Sequence, residues 1–261
     1  MDRPPTTTTY RSVLTRTPDG SAIVKQVAGE ERLPLLPSRW ESFANELRIG
    51  VLMAETPPPV AVPRLLDSDP DGGTLVFEAI DGEPLGPKRP TQLASGDLDR
   101  ALDVAHALGS FDPHGDWFLR FAARTHLDHH RRTGLLSAME ARHLIRLLEA
   151  GPTRWAFAHG DLSPRNILKR ADGSVVVIDW ERAGLYPAGY DLAFLWYTLG
   201  AVAGARTRIE ATVPSADKVS FLLSVLLIAL LHLDRPAPDA PQADADRDVV
   251  RSVLGSLLTT A

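Results

Sequence analysis

The sequence predicts an α+β chain of two unequal lobes, a small antiparallel sheet carrying one helix and a larger, mostly helical part. Three observations predict it. β-type runs joined by strong turn signals fill the first 80 residues. A proline- and glycine-rich connector, DGEPLGPKRP, occupies 81–90. Beyond it apolar residues recur at helical spacing, interrupted once by short β-type runs between 155 and 179. The expected division is 1–80 as the amino-terminal lobe, 81–90 as hinge and 91–261 as the carboxy-terminal lobe.

Composition allows such cores. Of 261 residues, 44% are hydrophobic and 23% charged, which suits a folded chain rather than a disordered one. A net charge of −5 argues against a nucleic-acid partner, which calls for a basic excess. With no cysteine there is no disulfide, thiolate metal site or cysteine nucleophile. The opening MDRPPTTTTYRS lacks the apolar core of a signal peptide. The run VSFLLSVLLIALLHL, broken by Ser220, Ser224 and His232, is shorter than the ~20 residues of a membrane span. A buried helix in a cytoplasmic protein without a membrane partner is expected.

The elements follow in order. YRSVLTRT and SAIVKQV form a hairpin closed at Pro18-Asp19-Gly20. Ser38 with Glu41 makes a capping box for a helix over WESFANELRIGVLMAE, with Phe43 and Leu47 on one face. Prolines 57–59 end it. VPRLLDSD and TLVFEAI are strands around Asp71-Gly72-Gly73. In the second lobe, Leu98, Ala101, Leu102, Ala105 and Leu108 mark one helix, and others are expected at 116–133, 137–150, 189–204, 216–233 and 247–259. RPAPDAPQADAD reads as a surface loop, with Asp239, Asp244, Asp246 and Asp248 as solubilising acids. His126, His129 and His130 precede Arg131 and Arg132 without the acid of an HExxH pattern, which predicts a solvated helix face. His106 falls on an apolar pattern and is expected to be packed or bridging.

One stretch carries chemistry: AHGDLSPRNILKRADGSVVVIDWE, residues 158–181. It parses as strand (WAFA), loop (HGDLSPRN), strand (ILKR), turn (Ala171-Asp172-Gly173), strand (SVVVID) and a polar exit. The strands are too apolar for a surface hairpin, so their ends bring Asp161, Asn166 and Asp179 together at the rim of a core. Hard oxygen ligands converging there suit Mg²⁺ with substrate phosphates. A further carboxylate can accept a proton from an attacking hydroxyl. Phosphoryl transfer requires that combination.

In these residues the sequence resembles the aminoglycoside phosphotransferase/choline kinase family, a branch of the protein-kinase-like fold. The resemblance rests on His159 through Asn166, on Ile178-Asp179-Trp180-Glu181 and on Tyr190-Asp191-Leu192-Ala193, and it covers residues 10 to 205 or so. The Asp161-to-Asn166 spacing equals that of the kinase catalytic loop. The resemblance implies a two-lobed kinase-like fold with ATP (or GTP) and Mg²⁺ in the cleft. It implies Asp161 as base, Asn166 and Asp179 as metal ligands, Asp191 as a structural anchor and His159 as a brace of the loop. Lys25 would reach the phosphates. Its partner would be Glu46, because Glu41 is spent on the capping box. Backbone groups from Glu78 to Ile80 would meet the base of the nucleotide. The implied acceptor is a hydroxyl of a small molecule such as an aminoglycoside or other antibiotic, an amino alcohol or a sugar.

Two features depart from the protein-kinase pattern. The glycine-rich loop is missing: about nine residues precede Tyr10, too few for a first strand and such a loop. Either Thr6–Thr9 and Ser12 bond the phosphates, or the clamp is weak. Secondly, only twelve positions separate Asp179 from Asp191, and Gly160 replaces the arginine that would read a phosphorylated loop. Both favour a small-molecule acceptor. Two other readings stay open: a kinase for Ser or Thr of a natural-product precursor peptide, with a partner protein completing the short amino terminus, and a non-catalytic pseudokinase acting as a binding module.

Overall fold

The computed structural model describes residues 6–8, 12–29, 35, 37–113, 119–151, 153–234 and 240–259. The amino-terminal part contains β1 (Thr6–Thr8), β2 (Ser12–Arg16), β3 (Ala22–Val27), α1 (Arg39–Glu55), β4 (Leu65–Asp69) and β5 (Thr74–Glu78). The strands form one antiparallel sheet in the order β1-β2-β3-β5-β4. β2 and β3 pair from Ser12↔Val27 to Arg16↔Ile23, and Gly20, at φ 74°, takes the left-handed turn position that a side chain would resist. The residues before Tyr10, expected to be too few for a first strand and a glycine-rich loop, do include a strand. β1 pairs with β2 from Thr6↔Thr15, because an exposed strand edge recruits even three β-branched residues through backbone hydrogen bonds. Thr9 and Tyr10 lie outside the described residues.

The capping box of α1 is present. Glu41 donates its N–H to Ser38 Oγ at 3.2 Å, and Ser38 donates its N–H to Glu41 Oε2 at 2.7 Å. The buried stripe runs through Asn45, Glu46, Ile49 and Met53 beside Phe43, with Leu47 only half-buried. Glu46 is therefore on the inward face.

After β5 come β6 (Glu83–Pro84), α2 (Asp97–Gly109), α3 (Ala123–Arg132), α4 (Ala138–Glu149), β7 (Trp155–Ala158), β8 (Ile167–Lys169), β9 (Val175–Val177) and β10 (Gly184–Pro187). The segment expected to be a plain connector is partly a strand: β6 pairs with β8, and β8 with β9. β7 does not share that sheet. It pairs with β10, a strand the sequence did not announce.

The remaining helices are α5 (Tyr190–Thr198), α6 (Ala205–Thr212), α7 (Lys218–Leu233) and α8 (Ala240–Leu258). The helix expected over 189–204 stops at Thr198, and α6 is additional. The expected helix start at 116–118 lies outside the described residues, and the described helix begins at Ala123. α7 is the centre of the core, with Phe221, Leu223, Leu226, Leu227, Ile228 and Leu230 buried. With the turn before it, Ser215–Leu233 spans 19 residues, long and apolar enough to cross a membrane, but its burial within the protein is that of a core helix.

Several polar expectations are corrected. α8 begins within the segment read as a loop, and Asp246 is buried, accepting a hydrogen bond from the Tyr197 hydroxyl at 2.5 Å. Asp244 and Asp248 are exposed, as expected, and Asp239 lies outside the described residues. His126 and His130 are buried rather than solvated, because α3 turns that side towards Phe121 and α7. His106 is exposed, not packed.

Candidate active site

The loop between β7 and β8 ends in a 3-10 turn over Pro164–Asn166, and four hydrogen bonds fix its shape. Asp191, in the first turn of α5, accepts the N–H of His159 at 2.8 Å and that of Gly160 at 3.1 Å. The His159 ring is a two-sided brace. Its Nδ1 accepts the Asp161 N–H at 3.2 Å, so Nε2 carries the proton and donates to the Ile178 carbonyl at 2.9 Å. This bond ties the loop to the segment bearing Asp179. Gly160 sits at φ 80°, and a Cβ there would meet the Arg182 carbonyl at 2.5 Å, so only glycine fits.

Asp161 is buried, with its carboxylate facing cations. Lys88 Nζ lies 2.7 Å from Oδ1, and Arg165 Nη2 lies 3.6 Å from Oδ2. Burial alone would raise its pKa. The charges of Lys88 and Arg182 outweigh burial and hold it below the usual carboxylate value. Asn166 is buried and donates from Nδ2 to the Asp161 carbonyl at 3.0 Å, which leaves its amide oxygen uncommitted to that bond.

Asp179 follows β9 with φ 66°, one of two described non-glycine residues with positive φ. Such a conformation costs on the order of 1–3 kcal/mol and persists where the surroundings over-determine it. Lys25 Nζ, from β3, lies 2.7 Å from Asp179 Oδ1, 2.7 Å from Glu46 Oε2 and 3.4 Å from Glu181 Oε2. The sequence-derived partner Glu46 is thus the helix glutamate that Lys25 touches. Burial opposes the Lys25 charge, yet Asp179, Glu46 and Glu181 together hold the ammonium well above its ordinary value. Asp179, despite burial, is pulled down to about 2, chiefly by Lys25. Glu46 is raised to about 7 by burial, with Lys25 opposing and the two other acids reinforcing.

Glu78 and Ile80 stand where β5 leaves the sheet. Glu78 donates its N–H to the Arg64 carbonyl at 2.9 Å, and Ala79 donates to Ser21 at 3.0 Å. Two N–H groups of that stretch are therefore spent within the sheet, and its carbonyls and Ile80 N–H are the groups a base would have to meet. The side chains of Thr6–Thr8 and all of Thr9 lie outside what is described. Ser12 is buried and lines a small gap with Lys25, Phe43, Glu46 and Glu181.

Four residues of this cleft were not anticipated. Glu181 lies within the quoted stretch, and its acid beside Asp179 was a usable signal. Asn45 donates from Nδ2 to the carbonyls of Glu181 at 3.1 Å and Ala183 at 2.9 Å, docking α1 on the segment after Asp179. Arg182 follows Glu181 and carries positive charge towards Asp161. Lys88 sits in a proline-rich connector, where nothing in the local pattern marks it. A separate cavity of about 190 Å³ lies behind the loop, between α2, β7 and the start of α5, away from Lys25 and Asp161.

Comparison with known proteins gives matches of two kinds. The phosphotransferase enzyme family matches residues 8–213. A choline/ethanolamine kinase family protein from Mesorhizobium loti superposes with a TM-score of 0.67 at 19% identity, covering 100% of this chain and 89% of that one. Choline kinase LicA from Streptococcus pneumoniae gives 0.62 at 14% identity, covering 97% and 92%. A streptomycin–ATP–APH(2")-IIa ternary complex gives 0.59 at 15% identity, covering 100% and 92%. These structures share the two-lobed kinase-like fold. No curated protein matches the chain.

Proposed function

The chain belongs to the phosphotransferase enzyme family, and on that premise we propose that it moves the γ-phosphoryl group of ATP to a hydroxyl of a small molecule. One observation carries this proposal: an ionised, buried Asp161 stands on a loop that the His159 ring ties to the segment of Asp179, which Lys25 joins to Glu46. Asp161 accepts the proton of the acceptor hydroxyl as its oxygen attacks phosphorus. Lys25, held by Glu46, grips the phosphates that are not transferred. The donor set fits Mg²⁺, since carboxylate oxygens of Glu46, Asp179 and Glu181 lie within 4.8 Å of one another and Asp179, ionised, already holds a cationic nitrogen. Asp179 and Asn166 would hold the metal, which when bound neutralises charge on the phosphates.

The acceptor side is cationic. Lys88 and Arg165 flank Asp161, and Arg89 stacks on Tyr197 at 4.7 Å while donating to its hydroxyl. This charge favours an acceptor that is neutral or anionic beside its hydroxyl over a polycation. The test is a mass-spectrometric screen of hydroxylated compounds, grouped by charge, for ATP-dependent gain of a phosphoryl group. Asp161→Ala should cut turnover by about a thousand-fold or more while the protein stays folded. Turnover unchanged in that variant would remove Asp161 as base. Modification of a peptide but of no small molecule would move the acceptor class to precursor peptides. Absence of thermal stabilisation by millimolar Mg-ATP would favour a binding module without catalysis.

A further inference from the structure

The carboxy-terminal ends of α3 and α7 meet at three side chains that the phosphotransfer site does not use. Asp234, the residue following α7, presents Oδ1 to His129 Nε2 at 3.6 Å and Oδ2 to His130 Nε2 at 3.4 Å. Both separations are long for hydrogen bonds. They lie slightly above the ligand-to-ligand edge of a tetrahedral zinc site, about 3.3 Å for bonds near 2.05 Å, with each imidazole facing a different oxygen of the carboxylate. The ligand atoms of all three lie within 4.8 Å of one another.

The second observation is His130 itself. Its ring is fully buried, and neither nitrogen has a hydrogen-bond partner among the described residues. Asp234 Oδ2 is likewise buried without one. An unmet buried polar group costs on the order of 1–3 kcal/mol, and here two face each other without bonding. A neutral imidazole whose Nε2 makes no hydrogen bond can offer that nitrogen's lone pair to a metal. Two helix carboxy-termini converge on the spot, and their dipoles favour a cation there. Entry is open at His129, which is half-buried.

We infer that His129, His130 and Asp234 form a binding site for a borderline divalent metal, zinc above all, completed by water and pinning α3 to the end of α7. Two imidazoles and one carboxylate form a ligand set that zinc accepts and that magnesium, which prefers oxygen, does not. The role is structural, since the cluster shares no residue with the contacts of Asp161 and Lys25.

The experiment is zinc titration of the full chain, freed of metal, with bound zinc counted by elemental analysis and Co²⁺ substituted for its absorption spectrum. One zinc per chain, a tetrahedral Co²⁺ spectrum and a raised Tm are expected. His129→Ala and Asp234→Asn should each weaken binding by about ten-fold or more. Asp179→Asn, which alters the other carboxylate cluster, should leave this binding unchanged. Zinc that persists unweakened in His129→Ala, that is lost in Asp179→Asn, or that never binds at micromolar concentration would overturn the assignment. Should Asp234→Asn not fold, the half-exposed His129 variant decides alone.

Discussion

Replacing Lys25 with methionine isolates the charge at the centre of the cleft, because the apolar side chain has similar length. The Lys25 side chain is 13% exposed and its nitrogen touches Glu46 and Asp179 at 2.7 Å each. With an effective dielectric constant of about 20, each contact carries a bare attraction of roughly 6 kcal/mol. Desolvation of the buried groups offsets most of that, so the measurable cost is that of orphaning buried charges, about 3–5 kcal/mol. Three carboxylates within 4.8 Å are left to repel one another. Glu46 relieves the repulsion by taking a proton, since burial already raises it to about 7 from 4.5. The sign follows from linkage. A folded-state pKa above the unfolded value means that protons are bound on folding, so stability is fullest below about pH 4.5 and falls as pH rises through the raised value. Urea unfolding of Lys25→Met should thus show a larger loss near pH 8 than near pH 6, because removing Lys25 raises the Glu46 pKa further. Lys25→Arg, which keeps a charge, should recover part of it. A loss below about 1 kcal/mol near pH 8, or an equal loss at both values, would refute the reasoning.

Other consequences follow from the same geometry. Lys88→Ala removes the principal charge holding the Asp161 pKa down, so the acid limb of nucleotide turnover should move to higher pH. An unmoved limb in the pH–rate profile would dissociate Lys88 from the base. Asp191→Ala strips the acceptor from two buried N–H groups, those of His159 and Gly160. Urea unfolding should report a loss of about 2–5 kcal/mol, and turnover should fall as the loop loses its anchor. Wild-type stability in that variant would contradict the anchoring role.

Much of this molecule was legible where local chemistry dictates local structure. Pro18-Asp19-Gly20 closes a hairpin whatever lies around it, and Ser38 with Glu41 starts a helix without tertiary help. The loop from His159 to Asn166 was legible because its residue types are tied to positions five apart. What was hidden depends on partners remote in sequence. β10, Gly-Leu-Tyr-Pro, has no alternating pattern and is a strand only because β7 lies beside it. The prolines before α8 concealed a helix that tolerates Pro241 in its first turn, where no N–H is needed, and Asp246 is buried because Tyr197 donates to it. The polar run of α3 reads as solvated, but only one side of it meets water. Lys88 became part of the cleft through the path of residues 81–90, which β6 secures against β8.

Two of the cleft's cations are seated on acids that the proposed chemistry uses: Lys25 on Asp179, and Lys88 on Asp161. Both acids stay ionised without any ligand, Asp179 near 2 and Asp161 below its usual value. Binding is then an exchange of partners rather than the creation of charge pairs, which avoids the desolvation cost of an empty, unpaired acid. The two cations differ in what anchors them. Lys25 stays fixed by Glu46 when Asp179 turns to a new partner, so the nucleotide side is preorganised. On the proposed chemistry Lys88, from the segment 81–90, would have to give up Asp161 before a hydroxyl could approach its Oδ1. An acceptor whose own anionic group receives the displaced ammonium restores that pairing, whereas a cationic acceptor meets a second positive charge. The selectivity proposed for this site accordingly arises at Asp161, through position 88.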